Sequence, residues 1–151
     1  MLKKILVPLD GSELSETVLP HVSQLAKRIG AEVILLRVVT TPRHEYSFTD
    51  LTGLGMHPAP LAPAEDLRAQ AEGYLQRVAF DYFPDQNVTF ETSGGPTAET
   101  ILDHATAQEA GMIAMSTHGR GGLARLVMGS VADEIVRLAH IPVLLVRPQV
   151  G

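Results

Sequence analysis

Ser116-Thr117-His118-Gly119-Arg120-Gly121-Gly122, followed further on by Gly129-Ser130, is the part of this chain whose residue types suit chemistry more than packing. Small residues let backbone approach a ligand closely, and successive N–H groups in such a loop form a concave seat for an anion. An apolar run from Met112 to Met115 precedes the loop, and an amphipathic run from Val131 to Ala139 follows it. A strand, a glycine-bearing loop and a helix start therefore lie in one line, the arrangement in which a helix N-terminus binds phosphate. The ordinary alternative for Gly119, Gly121 and Gly122 is a tight surface loop; their position between strand and helix favours phosphate. Ser130 has two uses there: N-cap of the helix, with Asp133 three residues on, or contact to an oxygen of the anion.

Asp10 is the second candidate. It directly follows Ile5-Leu6-Val7-Pro8-Leu9, a short and nearly continuous apolar run. A carboxylate in a dry crevice selects a ligand edge that donates hydrogen bonds, such as an exocyclic amine, because an unmatched carboxylate there is costly. The same residue also suits a turn, or a cap for a helix beginning near Glu13. Within the loop, Arg120 is placed to pair with phosphates, and His118 either touches the ligand or orders the loop.

Other chemistries find no support. The loop lacks the Gly-x4-Gly-Lys-Ser/Thr string and its lysine, so fast phosphoryl transfer is not indicated. The remaining histidines, His21, His44, His57, His104 and His140, are scattered without metal-ligand spacing. No Gly-x-Ser-x-Gly elbow occurs. Ser93-Gly94-Gly95-Pro96 reads as a turn, with Pro96 in the first turn of a helix.

The elements that must position these residues are legible from periodicity. Ile5–Leu9 and Val33–Val39 read as strands buried on both faces. Between them Leu14, Val18, Val22, Leu25 and Ile29 recur at helical spacing, with Gly30 as the C-terminal cap and Pro20 inside, where it should kink the helix or cost stability. Residues 40–63 carry Pro42, Pro58, Pro60, Pro63, Gly53 and Gly55 without a period, which predicts a lid, a binding loop or disorder. Ala64 to Tyr82 is helical through Leu67, Ala71, Leu75 and Val78. Asn87 to Thr92 alternates as a strand, and Ile101, Leu102 and Ala105 mark the buried face of the next helix. Met112–Met115 is the fourth strand, the last helix opens at Ser130, and Ile141 to Val146 is the fifth strand.

Short apolar strands alternating with amphipathic helices imply a parallel sheet covered on both faces. Right-handed crossovers then predict a doubly wound α/β fold, a Rossmann-like five-stranded sheet with one reversal of strand order, as one domain over residues 1–151; with the reversal after the third strand the order is 3-2-1-4-5. In that order strands one and four are neighbours. Ligands bind at the carboxyl ends of strands where the order reverses, so Pro8-Leu9-Asp10 and Met115-Ser116-Thr117-His118-Gly119 should face each other across one crevice.

Composition narrows the class. The chain has 151 residues, enough for a substantial core, and a formal net charge of -5. No Lys/Arg cluster offsets that charge, which argues against nucleic-acid binding. There are no cysteines, so disulfides, thiolate metal sites and thiol catalysis are excluded. The N-terminal apolar run stops at Pro8, too short for a signal peptide, and no run has the length of a membrane span. The expectation is a cytoplasmic protein.

With these motifs together, the chain resembles the universal stress protein family along essentially its whole length. Nucleotide-binding members carry Gly-x2-Gly-x9-Gly-Ser/Thr between the fourth strand and the last helix. Gly119, nine further residues and Gly129-Ser130 match the second half; the first glycine falls on Ser116, a departure. Ile5-Leu6-Val7-Pro8-Leu9-Asp10-Gly11-Ser12 also looks like the family's start. The resemblance implies the adenine nucleotide alpha hydrolase-like variant of the fold and an ATP site. Asp10 and Val38 would hold the base, with Asp10 taking the adenine amine, and Pro8, Leu9 and Met115 would be nucleotide-binding with them. Ser116, His118, Gly119, Arg120, Gly122, Gly129, Ser130 and Val131 would hold ribose and phosphates. A Mg²⁺ held mainly by those phosphates is compatible, since Mg²⁺ needs few protein ligands. The resemblance further implies a homodimer through the last strand, Val143 to Val146, and a stress-response role exerted by conformation or partner contact rather than catalysis. A slow ATPase or phosphotransferase and a nucleotide-free dimeric scaffold are the other two readings.

Overall fold

The computed structural model describes residues 2–40, 63–117 and 129–149. The expected lid segment, apart from Thr40 and Pro63, and the loop residues His118, Gly119, Arg120 and Gly122 lie outside these described residues.

The elements run in chain order β1 Lys4–Pro8, α1 Glu13–Glu16, α2 Leu19–Ile29, β2 Glu32–Val39, α3 Ala64–Tyr82, β3 Val88–Gly94, α4 Thr97–Ala107, β4 Met112–Ser116, α5 Ser130–Leu138 and β5 Val143–Val146. All strand pairings are parallel and the sheet order is β3-β2-β1-β4-β5, the doubly wound order expected.

Side chains alternate across the sheet, so each apolar strand feeds two cores. Ile5, Val7, Val33 and Leu35 pack on one face with Leu19, Val22 and Ala26 of α2 and Leu75 and Val78 of α3. Leu6, Ile34, Leu36 and Ile113 pack on the other with Ile101 and Ala105 of α4 and Ala132 and Ile135 of α5. Each such fully buried aliphatic side chain contributes roughly 1.5–3 kcal/mol, which is why the central strands read as unbroken apolar runs.

Pro20 does more than kink its helix. The predicted single helix is divided: α1 ends at Glu16 and α2 starts at Leu19, with Pro20 in its first turn. Proline has no N–H for the carbonyl four residues back and its ring crowds that carbonyl, so the chain breaks there and restarts where proline is tolerated. Gly30 closes α2 in the left-handed region at φ 68°, as its position predicted.

Three boundaries also move. β3 continues to Gly94, so Ser93 and Gly94 belong to the strand; the turn falls on Gly95, at φ 128°, and Pro96 stands at the N-cap of α4, one place before its first turn. β4 includes Ser116. β5 starts at Val143 because Pro142 carries no N–H for the ladder.

Candidate functional site

Asp10 sits two residues past β1. Leu9 extends the strand register by one bond, its N–H donating to the Leu36 carbonyl at 2.9 Å. The chain then turns at Gly11, at φ 87°. Asp10 Oδ1 accepts from the Ser12 N–H at 2.8 Å and from the Ser12 hydroxyl at 2.5 Å. Ser12, rather than Asp10, caps α1, its hydroxyl oxygen accepting from the Ser15 N–H at 3.1 Å. Partial burial pushes the Asp10 carboxyl up, but hydrogen bonds from Ser12 and Ser15 and the nearby Arg37 charge outweigh it, and the pKa lies below the usual 3.8. Asp10 is therefore an anion at neutral pH, and both of its Ser12 bonds fall on one oxygen.

β4 supplies the opposite wall. Met115 is buried on the α4/α5 side of the sheet, while Ser116 points to the other side. The Ser116 hydroxyl lies 2.7 Å from the Thr17 hydroxyl and donates within reach of the Ser15 carbonyl at 3.3 Å. Its side chain thus ties α1 to the end of β4.

α5 begins differently from the expectation. Its N-cap is Gly129 and Ser130 is its first helical residue, so Ser130 is not the cap. Glycine offers no side-chain acceptor, so among the described residues no side-chain cap bond is made at this end. Asp133 N–H donates to the Gly129 carbonyl at 2.9 Å, so the helix itself is engaged from that residue onward. The N–H groups before it are the ones a capping side chain, water or ligand takes up.

These walls enclose a cavity of about 630 Å³ at the carboxyl ends of β1, β2 and β4. Pro8, Leu9 and Asp10 line it from β1 and the turn, Val38 from β2, Met115 and Ser116 from β4, and Gly129, Ser130 and Val131 from the start of α5. The structure thus brings together every candidate residue that falls among the described ones. Asp10, Arg37 and Tyr74 are the ionisable side chains on its described wall.

Sequence reasoning missed Arg37 and Tyr74. Arg37 is the one charge in the apolar run Val33–Val39, and that interruption near a strand's carboxyl end was the available signal. Its guanidinium lies 5.4 Å from the centre of the Tyr74 ring, a cation–π distance. It also rests on Gly11, where a methyl group would overlap it. The Tyr74 hydroxyl is buried without a hydrogen-bond partner among the described residues. Burial, with the Glu16 charge next, pushes its pKa up to about 12.

Among the described residues one histidine–carboxylate contact occurs, outside the lining of this cavity: His104 Nδ1 lies 2.9 Å from Glu91, between α4 and β3. Among the described residues no cluster of three or more histidine, aspartate or glutamate side chains stands ready for a metal ion. No helix among them is long and apolar enough to cross a membrane.

Residues 1–147 match the profile of the universal stress protein family. Universal stress protein MJ0531 of Methanocaldococcus jannaschii is 31% identical over 147 residues, covering 96% of this chain and 82% of the relative. YxiE of Bacillus subtilis, also a universal stress protein, is 31% identical over 155 residues, covering 97% and 100%. Among solved structures, protein MJ0577 of M. jannaschii superposes with a TM-score of 0.76 at 26% identity, over 100% of this chain and 99% of that one. A universal stress protein in complex with cAMP shares the fold at a TM-score of 0.63 and 16% identity, over 98% of each chain.

Proposed function

This chain belongs to the universal stress protein family, and we propose that it binds an adenine nucleotide, ATP foremost, and acts as a stress-response module through the shape or contacts that binding brings. The observation that carries this reading is the single cavity in which Asp10 faces the start of α5 at Gly129 and Ser130. An ionised acceptor at one end suits the adenine amine. Helix N–H groups without a capping side chain at the other end suit a phosphate. Pro8, Leu9, Val38 and Met115 between them give an apolar slot for the base. The relative solved with cAMP holds an adenine nucleotide on the same fold, which supports the ligand class. His118, Gly119, Arg120 and Gly122 complete the phosphate side in this reading, with any Mg²⁺ carried on the phosphates.

Binding is favoured over turnover by Asp10 itself. It is the one carboxylate on the described cavity wall, and its lowered pKa makes it a poor proton acceptor at neutral pH. The reading places the protein's action in the cytoplasm, in keeping with a cysteine-free chain. It also includes a homodimer through β5, which ends the sheet and leaves Val143 to Val146 half-buried.

Denaturing the purified protein and identifying what is released tests the ligand. An adenine nucleotide, or ATP binding by calorimetry below millimolar concentration, is expected. Neither release nor binding, with and without Mg²⁺, would overturn the assignment.

A further inference from the structure

Resting on the adenine-nucleotide reading of this cavity, we propose that Arg37 is the second half of a base-reading pair: its guanidinium donates to the ring nitrogen beside the amine that Asp10 accepts.

The argument starts from how the guanidinium is held. β2 places Arg37 at the carboxyl end of the sheet, on the same face as Val33 and Leu35, which pack against α2 and α3. Gly11 forms a seat for it: a Cβ there would overlap the guanidinium, lying 3.0 Å from Cζ. Tyr74 of α3 backs it, with Cζ 5.4 Å from the ring centre. A planar cation stacked on a ring and resting on backbone has lost most of its freedom before any ligand arrives, so each bond it makes costs less entropy. Gly11 is the residue after Asp10, and all three line the same cavity. An acceptor and a fork of donors therefore belong to the same cavity wall, close enough for the Arg37 charge to act on the Asp10 carboxyl.

That order of groups matches an amine standing beside a ring-nitrogen acceptor, which adenine presents on two edges, cytosine at N4 and N3, and guanine only at N2 and N3. Adenine presents its amine, a donor, directly beside a ring-nitrogen acceptor, N7 on one side and N1 on the other. Guanine presents two acceptors on one edge, O6 and N7, and two adjacent donors, N1–H and N2–H₂, on the other. Asp10 has already committed Oδ1 to both Ser12 bonds. One oxygen serves one amine well, whereas guanine's paired donors would leave one unmatched in the cavity, at a cost. Arg37 thus converts a site that accepts an amine into one that prefers an amine beside a ring nitrogen, the pair that adenine presents on both sides of its amine.

The experiment compares native protein with Arg37→Met by calorimetry against ATP, 7-deaza-ATP, 1-deaza-ATP and GTP. Native protein should bind ATP at least about tenfold more tightly than one of the two deaza analogues, the loss expected for a hydrogen bond to a charged group. Arg37→Met should weaken ATP by a similar factor and no longer distinguish ATP from that analogue. Arg37→Lys, which keeps the charge and loses the fork, should recover only part. Circular dichroism checks that each variant is folded. Arg37→Met binding ATP as native does, or still telling ATP from the deaza analogue, would overturn the proposal. If that variant does not fold, equal affinity of native protein for all three adenine ligands overturns it instead. Native protein that binds ATP indifferently to Arg37 sinks this inference alone; native protein that binds no adenine nucleotide sinks the site assignment with it.

Discussion

The hydroxyls of Thr17 and Ser116 lie 2.7 Å apart although 99 positions separate them in the chain. Thr17 Oγ1 also lies 2.7 Å from the Leu14 carbonyl, and either hydroxyl of the pair can be the donor between them. The bond fastens the short α1 to the end of β4, next to the cavity. Ser116 is also the position where the family pattern carries glycine. Its hydroxyl is engaged with α1 through Thr17 and Ser15 while the residue still lines the cavity. Ser116→Ala should lower stability by about 1 kcal/mol, and a double-mutant cycle with Thr17→Val in urea should show coupling of similar size. Ser116→Gly should keep its ATP affinity within about twofold, well under the tenfold that about 1.4 kcal/mol represents. Additive stability effects, or a tenfold change in affinity, would contradict this account.

Asp10 should make the protein sensitive to acid. Its folded pKa lies below the ordinary value. A depressed carboxylate contributes stability that is present above the unfolded pKa and lost as pH falls through the folded one. Asp10→Asn should therefore be less stable than native protein at neutral pH, with the gap closing below pH 3.8 as native Asp10 protonates. Urea unfolding midpoints across that range check it. A gap that stays constant into acid would mean that the Ser12 bonds do not depend on the charge.

Particular residues show what was legible in the sequence. β1, β2 and β4 declared themselves because strands buried on both faces must be apolar throughout; chain-crossing rules required a doubly wound sheet, while the point at which the order reverses is set by tertiary packing. Asp10 and Gly129 were legible because they punctuate those runs. Tyr74 was not: α3 carries Leu67, Ala71, Leu75 and Val78 at helical spacing, and nothing in that period marks the neighbouring tyrosine as a cavity wall. The Thr17–Ser116 bond was hidden for another reason. It exists only once the sheet has set β1 beside β4 and Pro20 has cut α1 short, so it belongs to the tertiary arrangement.

Gly129 offers a direct test of the phosphate side. Its φ of -56° and ψ of 154° suit any residue, so a side chain there imposes no backbone strain. Gly129→Val should fold with a thermal midpoint near the native one and bind ATP at least about tenfold more weakly, because a branched side chain crowds the approach to the helix N-terminus. Unchanged affinity would remove Gly129 and the start of α5 from the site.

Tyr74 should show its burial at high pH. The phenol's pKa rises from 10.0 to about 12 in the fold. The neutral form is the one the fold favours, so its contribution is complete below pH 10 and declines as pH approaches 12. Among the described residues the Tyr74 hydroxyl has no hydrogen-bond partner. Tyr74→Phe should consequently be at least as stable as native protein at neutral pH, since it removes an unsatisfied polar atom and keeps the ring under Arg37. It should also lose less stability between pH 10 and 12. A destabilised variant at neutral pH would mean that the hydroxyl is satisfied in solution.

The dimer reading makes a prediction about one backbone group. β4 takes its hydrogen bonds from alternate residues of β5: Ile113 N–H donates to the Pro142 carbonyl and Thr117 N–H to the Val146 carbonyl. By the same alternation, Val143 and Leu145 direct their backbone groups to the free side of the edge. An edge strand tolerates proline where its N–H faces outward. Leu145→Pro should thus leave the β4–β5 ladder intact while deleting a donor that a second copy of β5 would need. The exposed Val136 and Leu138 of α5 lie on the element that leads into this edge, so apolar surface would remain uncovered in the separated form. Sedimentation should find native protein as a dimer and Leu145→Pro as a folded monomer. A native monomer, or a Leu145→Pro dimer with native circular dichroism, would move the contact away from β5.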